Sequence, residues 1–344
     1  MVLAITAGAC GEGGRVSATD SLTPVAPPVE LQRSELDYLS DPAVLVVGPK
    51  TIYVADNSQG LIVEYSRAGQ ILRHIGTRGN GPGQYVGPTA MALIHDTLLY
   101  VADAAVNRAS VFVTTLGTYY GPYYTPSQVY NIAERGDTVV FGMQDIERKT
   151  SVGRLLPGDS VVWQIGPVAG EILRSPRLAR YYPLSLVSLD SRGYRVAFTG
   201  SALIYRITTN GTVIDSSTPP TRRRRGVPRD LDAMLDSTRK VTQDIAAPAS
   251  LLAMMAALPD GGTVLVHLDF VMDRGAVGVR SYLSTLDARG RATCIDQIVP
   301  IASDARPVFA MRADTLFVVQ NRLAPRSGAV GTVLSSYLVA CGGR

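Results

Sequence analysis

Thr51-Ile-Tyr-Val-Ala-Asp56 and Thr97-Leu-Leu-Tyr-Val-Ala-Asp103 are two copies of one apolar segment that begins at a threonine and ends on an aspartate. Shorter copies stand at Thr138-Val-Val-Phe141, Thr263-Val-Leu-Val-His267 and Thr315-Leu-Phe-Val-Val319. Thr97 follows Thr51 by 46 residues, Thr138 follows Thr97 by 41, and Thr315 follows Thr263 by 52. Short β-branched strands recurring every 40 to 50 residues or so are the signature of propeller blades. The 125 residues between Thr138 and Thr263 hold one further copy, Tyr194-Arg-Val-Ala-Phe198, together with an insertion. Six copies result, and the fold class is therefore all-β, a six-bladed β-propeller.

Working outward from Thr51, the first blade divides into strands at 44–48, 51–55, 61–65 and 70–75. The third and fourth strands of several blades are joined by Arg67-Ala-Gly69, Thr209-Asn-Gly211 and Asp287-Ala-Arg-Gly290. Gly and Asn accept the positive φ that tight hairpins require, so each repeat reads as a four-stranded antiparallel meander. The last blade ends after its third strand at 333–339, and residues 29–36 are the candidate that returns to pair with it and close the ring. Closure removes the open strand edges that invite aggregation. The insertion spans 217–249. Within it Leu231, Met234, Leu235, Val241 and Ile245 fall at helical spacing behind Asp230, a helix over about 228–246 that either packs on the propeller or binds a partner.

A length of 344 residues suits one propeller at 29–344 preceded by a segment 1–28. No run approaches the roughly 18 uninterrupted apolar residues of a membrane-spanning helix. The net charge of +4, from 33 basic and 29 acidic residues, is too mild an excess to imply a nucleic-acid partner. Arg222, Arg223, Arg224 and Arg225, with Arg229 close behind, form either a solvated loop or a docking patch for anionic lipid or an acidic protein.

Ala7-Gly-Ala-Cys10 closes a short apolar stretch. It resembles the end of a bacterial lipoprotein signal, which implies removal of the preceding residues, acylation of Cys10 and attachment to the envelope membrane. Ala7 stands where that pattern usually has leucine, and the Gly-, Ser-, Thr- and Pro-rich residues 11–28 suit a flexible tether. Cys294 and Cys341 either pair in an oxidising compartment or remain separate thiols. No Cys-x-x-Cys pair supports a zinc or thioredoxin-like site.

Tyr53-Val-Ala-Asp-Asn57, followed by Ile75-Gly-Thr-Arg-Gly-Asn-Gly-Pro-Gly-Gln-Tyr-Val-Gly-Pro88, resembles an NHL repeat, and Tyr100-Val-Ala-Asp103 with Asn107-Arg108 is similar to the next one. The likeness covers the first two blades; the rest keep only the strand rhythm. Strands flank the glycine loop on both sides, so it reads as a connection between blades rather than a phosphate cradle, which needs a helix N-terminus.

Enzymes on related propellers, lactonase-like hydrolases and amidating lyases, hold a metal in the central channel. Here the three histidines, His74, His95 and His267, lie at unlike places in their blades. Asp56, Asn57, Asp103, Asn107, Asp269, Asp273 and Asn321 are residues that either hold a hard cation on one face or serve as turn and cap groups. No Gly-x-Ser-x-Gly elbow is present.

The sequence thus points to a non-catalytic binding or scaffold protein of the envelope, without cofactor, metal or identified small-molecule substrate, docking a protein partner or a membrane complex. Its candidate contact residues are Asp56, Asn57, Asn107, Arg108 and Arg322 on the loop-bearing face, the Arg222 to Arg225 run, and Tyr119, Tyr120, Tyr123 and Tyr124 of Tyr-Tyr-Gly-Pro-Tyr-Tyr. The tyrosines serve an interface or pack between outer strands. The alternative is a propeller hydrolase or lyase with a channel metal.

Overall fold

The computed structural model describes residues 21–33, 39–135, 138–155, 163–168, 184–188, 193–219, 221, 250–273, 276–301, 307–323 and 330–340. Among them there is no helix, and the strands form six antiparallel blades. Blade one is Pro42–Val47, Thr51–Asp56, Leu61–Ser66 and Ile71–Ile75. Blade two is Pro88–Ile94, Leu98–Asp103, Arg108–Val113 and Thr118–Tyr124. Blade three is Val129–Arg135, Thr138–Asp145, Thr150–Leu155 and Trp163–Ile165, and blade four Leu184–Ser188, Tyr194–Phe198, Ile204–Ile207 and Val213–Ser217. Blade five is Ser250–Ala257, Thr263–Asp273, Ala276–Leu286 and Ala292–Val299, and blade six begins with Val308–Arg312, Thr315–Leu323 and Val330–Leu338. The first strand of each blade is innermost and packs on the first strands of both neighbours, and the ring closes between Val308–Arg312 and Pro42–Val47.

A blade has a neighbour on each face, so both sets of alternating side chains must be apolar. This explains why Ile52, Tyr53, Val54 and Ala55 are all buried although a half-exposed strand would alternate. Ile52 and Val54 join the core shared with blade six, whereas Tyr53 and Ala55 join the core shared with blade two. The other interfaces follow suit, giving one core for each pair of adjacent blades.

Closure is made by the N-terminal segment, as the sequence implies, but it begins earlier than residue 29. Thr23 and Pro24 pair with Leu338 and Tyr337, and Val29 and Glu30 with Leu334 and Val333. Leu31 adds an N–H bond of 2.9 Å to the Thr332 carbonyl. Gln32 instead bonds to blade one, its N–H donating to the Gly69 carbonyl at 2.7 Å, and residues 34–36 of the expected closing strand lie outside the described residues. Pro24, Pro27 and Pro28 argue against a strand by propensity. An outer strand tolerates them, because its far edge needs no ladder partner. Leu22 enters the core between blades five and six and Leu31 the core between blades six and one, so a single strand seals both interfaces.

Arginines fasten the face that carries the turns between third and fourth strands. Arg73 of blade one donates to the Thr114 carbonyl in the corresponding turn of blade two, and Arg154 of blade three to the Thr209 carbonyl of blade four at 2.7 Å. Arg195 of blade four donates to the Asp287 and Ala288 carbonyls of blade five at 3.1 and 3.0 Å, and to the Thr263 hydroxyl. These turns need a left-handed residue: Gly211 has φ +88°, and a Cβ there would lie 2.5 Å from that of Ile165.

Cys294, on the outer strand of blade five, is disulfide-bonded. Cys341, Cys10, the tether up to residue 20, the helix anticipated at 228–246 and Arg222 to Arg225 lie outside the described residues. Non-reducing peptide mapping is expected to join the Cys294 peptide to that of Cys341; a link to Cys10 would exclude both this pairing and acylation of Cys10. Arg195→Met is expected to lower the free energy of unfolding in urea by about 2–3 kcal/mol, the scale of losing hydrogen bonds from a buried charged donor.

Candidate functional site

Asp56 and Asp103 end the second strands of blades one and two, and each is buried. Asp56 accepts the backbone N–H groups of Ser40 and Asp41 at 2.6 and 2.9 Å, that of Gln59 at 3.0 Å, and the Ser58 hydroxyl at 2.8 Å. Asp103 accepts the N–H of Val86 at 2.6 Å and of Ala105 at 2.9 Å. In both blades one carboxylate binds the chain entering the first strand and the turn leaving the second. Asp145 of blade three repeats the turn half of this arrangement. Burial pushes its pKa up, but hydrogen bonds from the Arg148 N–H and Gln164, with the Arg148 charge, more than offset this and hold it below the ordinary value.

Arg108, expected on the face, is instead buried and clamps the glycine loop. Its guanidinium donates to the Asn80 carbonyl at 2.9 Å and the Gln84 carbonyl at 2.7 Å. Asn107 is exposed, but its φ of +47° makes it the left-handed residue of a turn whose carbonyl accepts the Thr125 N–H at 2.9 Å. Asn321 donates to the Ser40 carbonyl at 3.3 Å and accepts from Thr332 at 2.8 Å. Asp269 is buried, Arg322 half-buried, and Asn57 exposed. The Asp273 side chain lies outside those described. Among the described residues no three His, Cys, Asp or Glu side chains come together as a metal site would require. His74 and His95 are exposed and His267 is buried in blade five.

The central channel has a cavity of about 490 Å³ toward the turn-bearing end, and a second of about 220 Å³ toward the other. The described lining of the larger cavity mixes alkyl and thioether groups, such as Val46, Leu93, Met254 and Met311, with the polar side chains of Asn131, Glu134 and Arg312. Charge gathers at the turn-side mouth. Arg312 of blade six forms two bonds to the Asp96 carboxylate of blade two, at 3.1 and 3.2 Å, and donates to the Val47 carbonyl of blade one at 3.2 Å. His95 and Asp96 adopt φ of +50° and +56°, the backbone of a type I′ hairpin, and this aims the carboxylate at Arg312. The His95 N–H contacts Glu134 at 3.4 Å. This bridge escapes sequence reading because its partners are 216 residues apart and no local pattern joins them.

The tyrosine cluster divides. A bulge between Val111 and Phe112 skips Tyr120 in the pairing of the outer strand of blade two, which changes the face each ring presents. Tyr119 meets Phe112 edge to face at 5.6 Å and Tyr123 stacks on Tyr100 at 6.0 Å, so Tyr119 packs in the core shared with blade one and Tyr123 in the core shared with blade three. Burial raises the Tyr100 pKa, with Tyr123 adding to the shift. Tyr120 and Tyr124 stand 70% and 71% exposed, and Leu116 in the turn before them 70%. These three exposed side chains on the rim of blade two are the candidate contact surface, Tyr120 beside Tyr100 and Tyr124 beside Tyr119; the alternating aromatics signalled it in sequence, but not which pair would be outside.

No protein-family model matches the chain, and no characterised protein matches it by sequence. Solved structures do match in fold. A Bacteroides fragilis protein assigned as exported superimposes with a TM-score of 0.60 at 9% identity, over 94% of this chain and 99% of that one. A member of the DUF4221 family from Bacteroides vulgatus gives 0.61 at 11% identity, over 92% and 97%. Virginiamycin B lyase from Staphylococcus aureus gives 0.53 at 12% identity, over 90% and 98%. At these identities the likeness establishes the fold alone.

Asp56→Ala and Asp103→Ala are each expected to lower unfolding free energy by about 2 kcal/mol, since each strands buried N–H groups. The loss should be the same with and without added calcium in chemical denaturation. A wild-type stability that rises with calcium, and a variant's that does not, would assign the carboxylates to a cation instead.

Proposed function

We propose that this chain is a non-catalytic binding protein of the bacterial envelope, held to the membrane through Cys10, that docks a protein partner on its propeller surface. The observation that carries the reading is the exposure of Tyr120 and Tyr124 on the outer strand of blade two, with Leu116 in the turn before it. Tyrosine supplies large contact area with few rotatable bonds, and such residues dominate interface energetics. Asp56, Asp103 and Arg108, by contrast, are occupied in holding the blades. The docking surface therefore shifts from the loop face to the rim of blade two, with Asn57 and Arg322 as accessory polar contacts. A fold neighbour assigned as exported supports an envelope location, and the Ala7-Gly-Ala-Cys10 segment supports the anchor. An accessory role on the periplasmic side of a membrane complex fits an anchored platform.

Affinity purification of the full chain from detergent-solubilised membranes tests this. A reproducible partner is expected, and Tyr120→Ser with Tyr124→Ser should weaken its binding by roughly thirtyfold or more, the scale of losing one interface hot spot. Retention of that partner by the double variant would remove these side chains from the proposal. A stoichiometric divalent ion bound in the channel of the purified protein would replace it with the hydrolase or lyase reading.

A further inference from the structure

The stretch Ser21-Leu-Thr-Pro-Val-Ala-Pro-Pro-Val29 contains no charged residue, and apart from buried Leu22 and half-buried Val29 all of it is exposed. Ser21 bridges to Ile298 on the outer strand of blade five, Thr23 pairs with Leu338, and the Val25 N–H donates to the Ser336 carbonyl at 2.9 Å. Leu22, Val299, Tyr337 and Val339 take the inward positions and share one core. Ile298 and Leu338, beside them in sequence, consequently face outward at 43% and 40% exposure, and Val25 of the closing stretch is 56% exposed. The result is an apolar rim spanning blades five and six, along which the closing stretch 21–29 carries no charge.

Two features indicate what covers it. Cys10 precedes Ser21 by 11 residues. At about 3.6 Å per residue the connection can extend no further than roughly 40 Å, so an acylated Cys10 keeps this rim close to the bilayer. The exposed side chains of the rim are also small aliphatics and prolines, without the Tyr, Trp or Arg that anchor protein interfaces. In a ring of six, blade five lies opposite blade two.

We propose that the rim formed by Val25, Ile298 and Leu338 rests in the interfacial zone of the lipid bilayer, which turns Leu116, Tyr120 and Tyr124 away from the membrane and toward their partner. This rests on Cys10 being the lipid attachment site. Apolar groups at such a surface enter the headgroup and acyl boundary by about 5–10 Å, and the anchor makes that contact effectively intramolecular.

A tryptophan reporter tests the orientation. In the acylated full chain carrying Trp163→Phe, Val25→Trp and Tyr120→Trp are compared in phosphatidylethanolamine and phosphatidylglycerol vesicles containing brominated acyl chains. Both positions are exposed, so the substitutions leave the cores intact. Val25→Trp emission is expected to fall by roughly half or more, consistent with that depth, while Tyr120→Trp emission is unchanged. Equal quenching of both, quenching only at position 120, or quenching at neither in a chain whose mass includes the lipid overturns the orientation and leaves the anchor standing. A change in Val25→Trp emission that needs no vesicles and grows with protein concentration assigns the rim to a second copy, which also overturns it. A chain without lipid mass on Cys10 brings down the anchor and the orientation together.

Discussion

Each blade of this protein buries both faces, and that single constraint governs the rest. A four-stranded sheet carrying Ile52 and Val54 on one side and Tyr53 and Ala55 on the other cannot satisfy either set alone. It needs a neighbour on each side, and so does every neighbour, until the ring returns to its start. The seal is the short strand pair at Thr23–Pro24 and Val29–Glu30, which carries Leu22 and Leu31 into the two interfaces beside blade six. Stability is thus shared among six interfaces rather than stored in one core, and closure leaves inner strands without a partnerless blade beside them.

Hydrophobic packing does not set the rotation of one blade against the next, because apolar contacts are not directional. Polar groups at the two faces supply that. On one face, guanidinium groups from Arg73, Arg154 and Arg195 reach carbonyls in the turns of the following blade. On the other, Asp56 and Asp103 collect N–H groups from the segments that enter and leave their blades. Arg312, bonded to blades one and two at once, extends the fastening across the mouth of the channel. Residues that look available for recognition in a linear sequence are largely taken up by this framework.

Among the described residues the most exposed large apolar side chains lie on the circumference. The outer strand of blade two offers aromatic surface, and the rim of blades five and six offers aliphatic surface beside the segment that leads to Cys10. With the proposed anchor at Cys10, unlike surfaces on opposite sides of the ring would give the platform a direction, which a freely rotating binding domain would lack.

Blade number, strand order and the four-stranded meander were legible from residue order alone, because each repeat encodes its own hydrogen-bonded unit in the Thr-to-Asp strand and the Gly-bearing turn at Gly69, Gly211 and Gly290. The need for an N-terminal closing strand was legible too, since the last repeat is one strand short. Its start at Thr23 was not, because the prolines around it argue against a strand until an outer edge is available to receive them. The turn and cap duty of Asp56 and Asp103 was one of the two readings the sequence offered, but their bonds to the chain entering the blade, and the clamp made by Arg108, depend on segments brought close by folding. Alternation alone separates Tyr119 and Tyr123 from the exposed Tyr120 and Tyr124, but the bulge decided that Tyr119 packs toward blade one and Tyr123 toward blade three. A one-residue change of register exchanges the faces of a strand, and register is set by packing against the neighbouring strands.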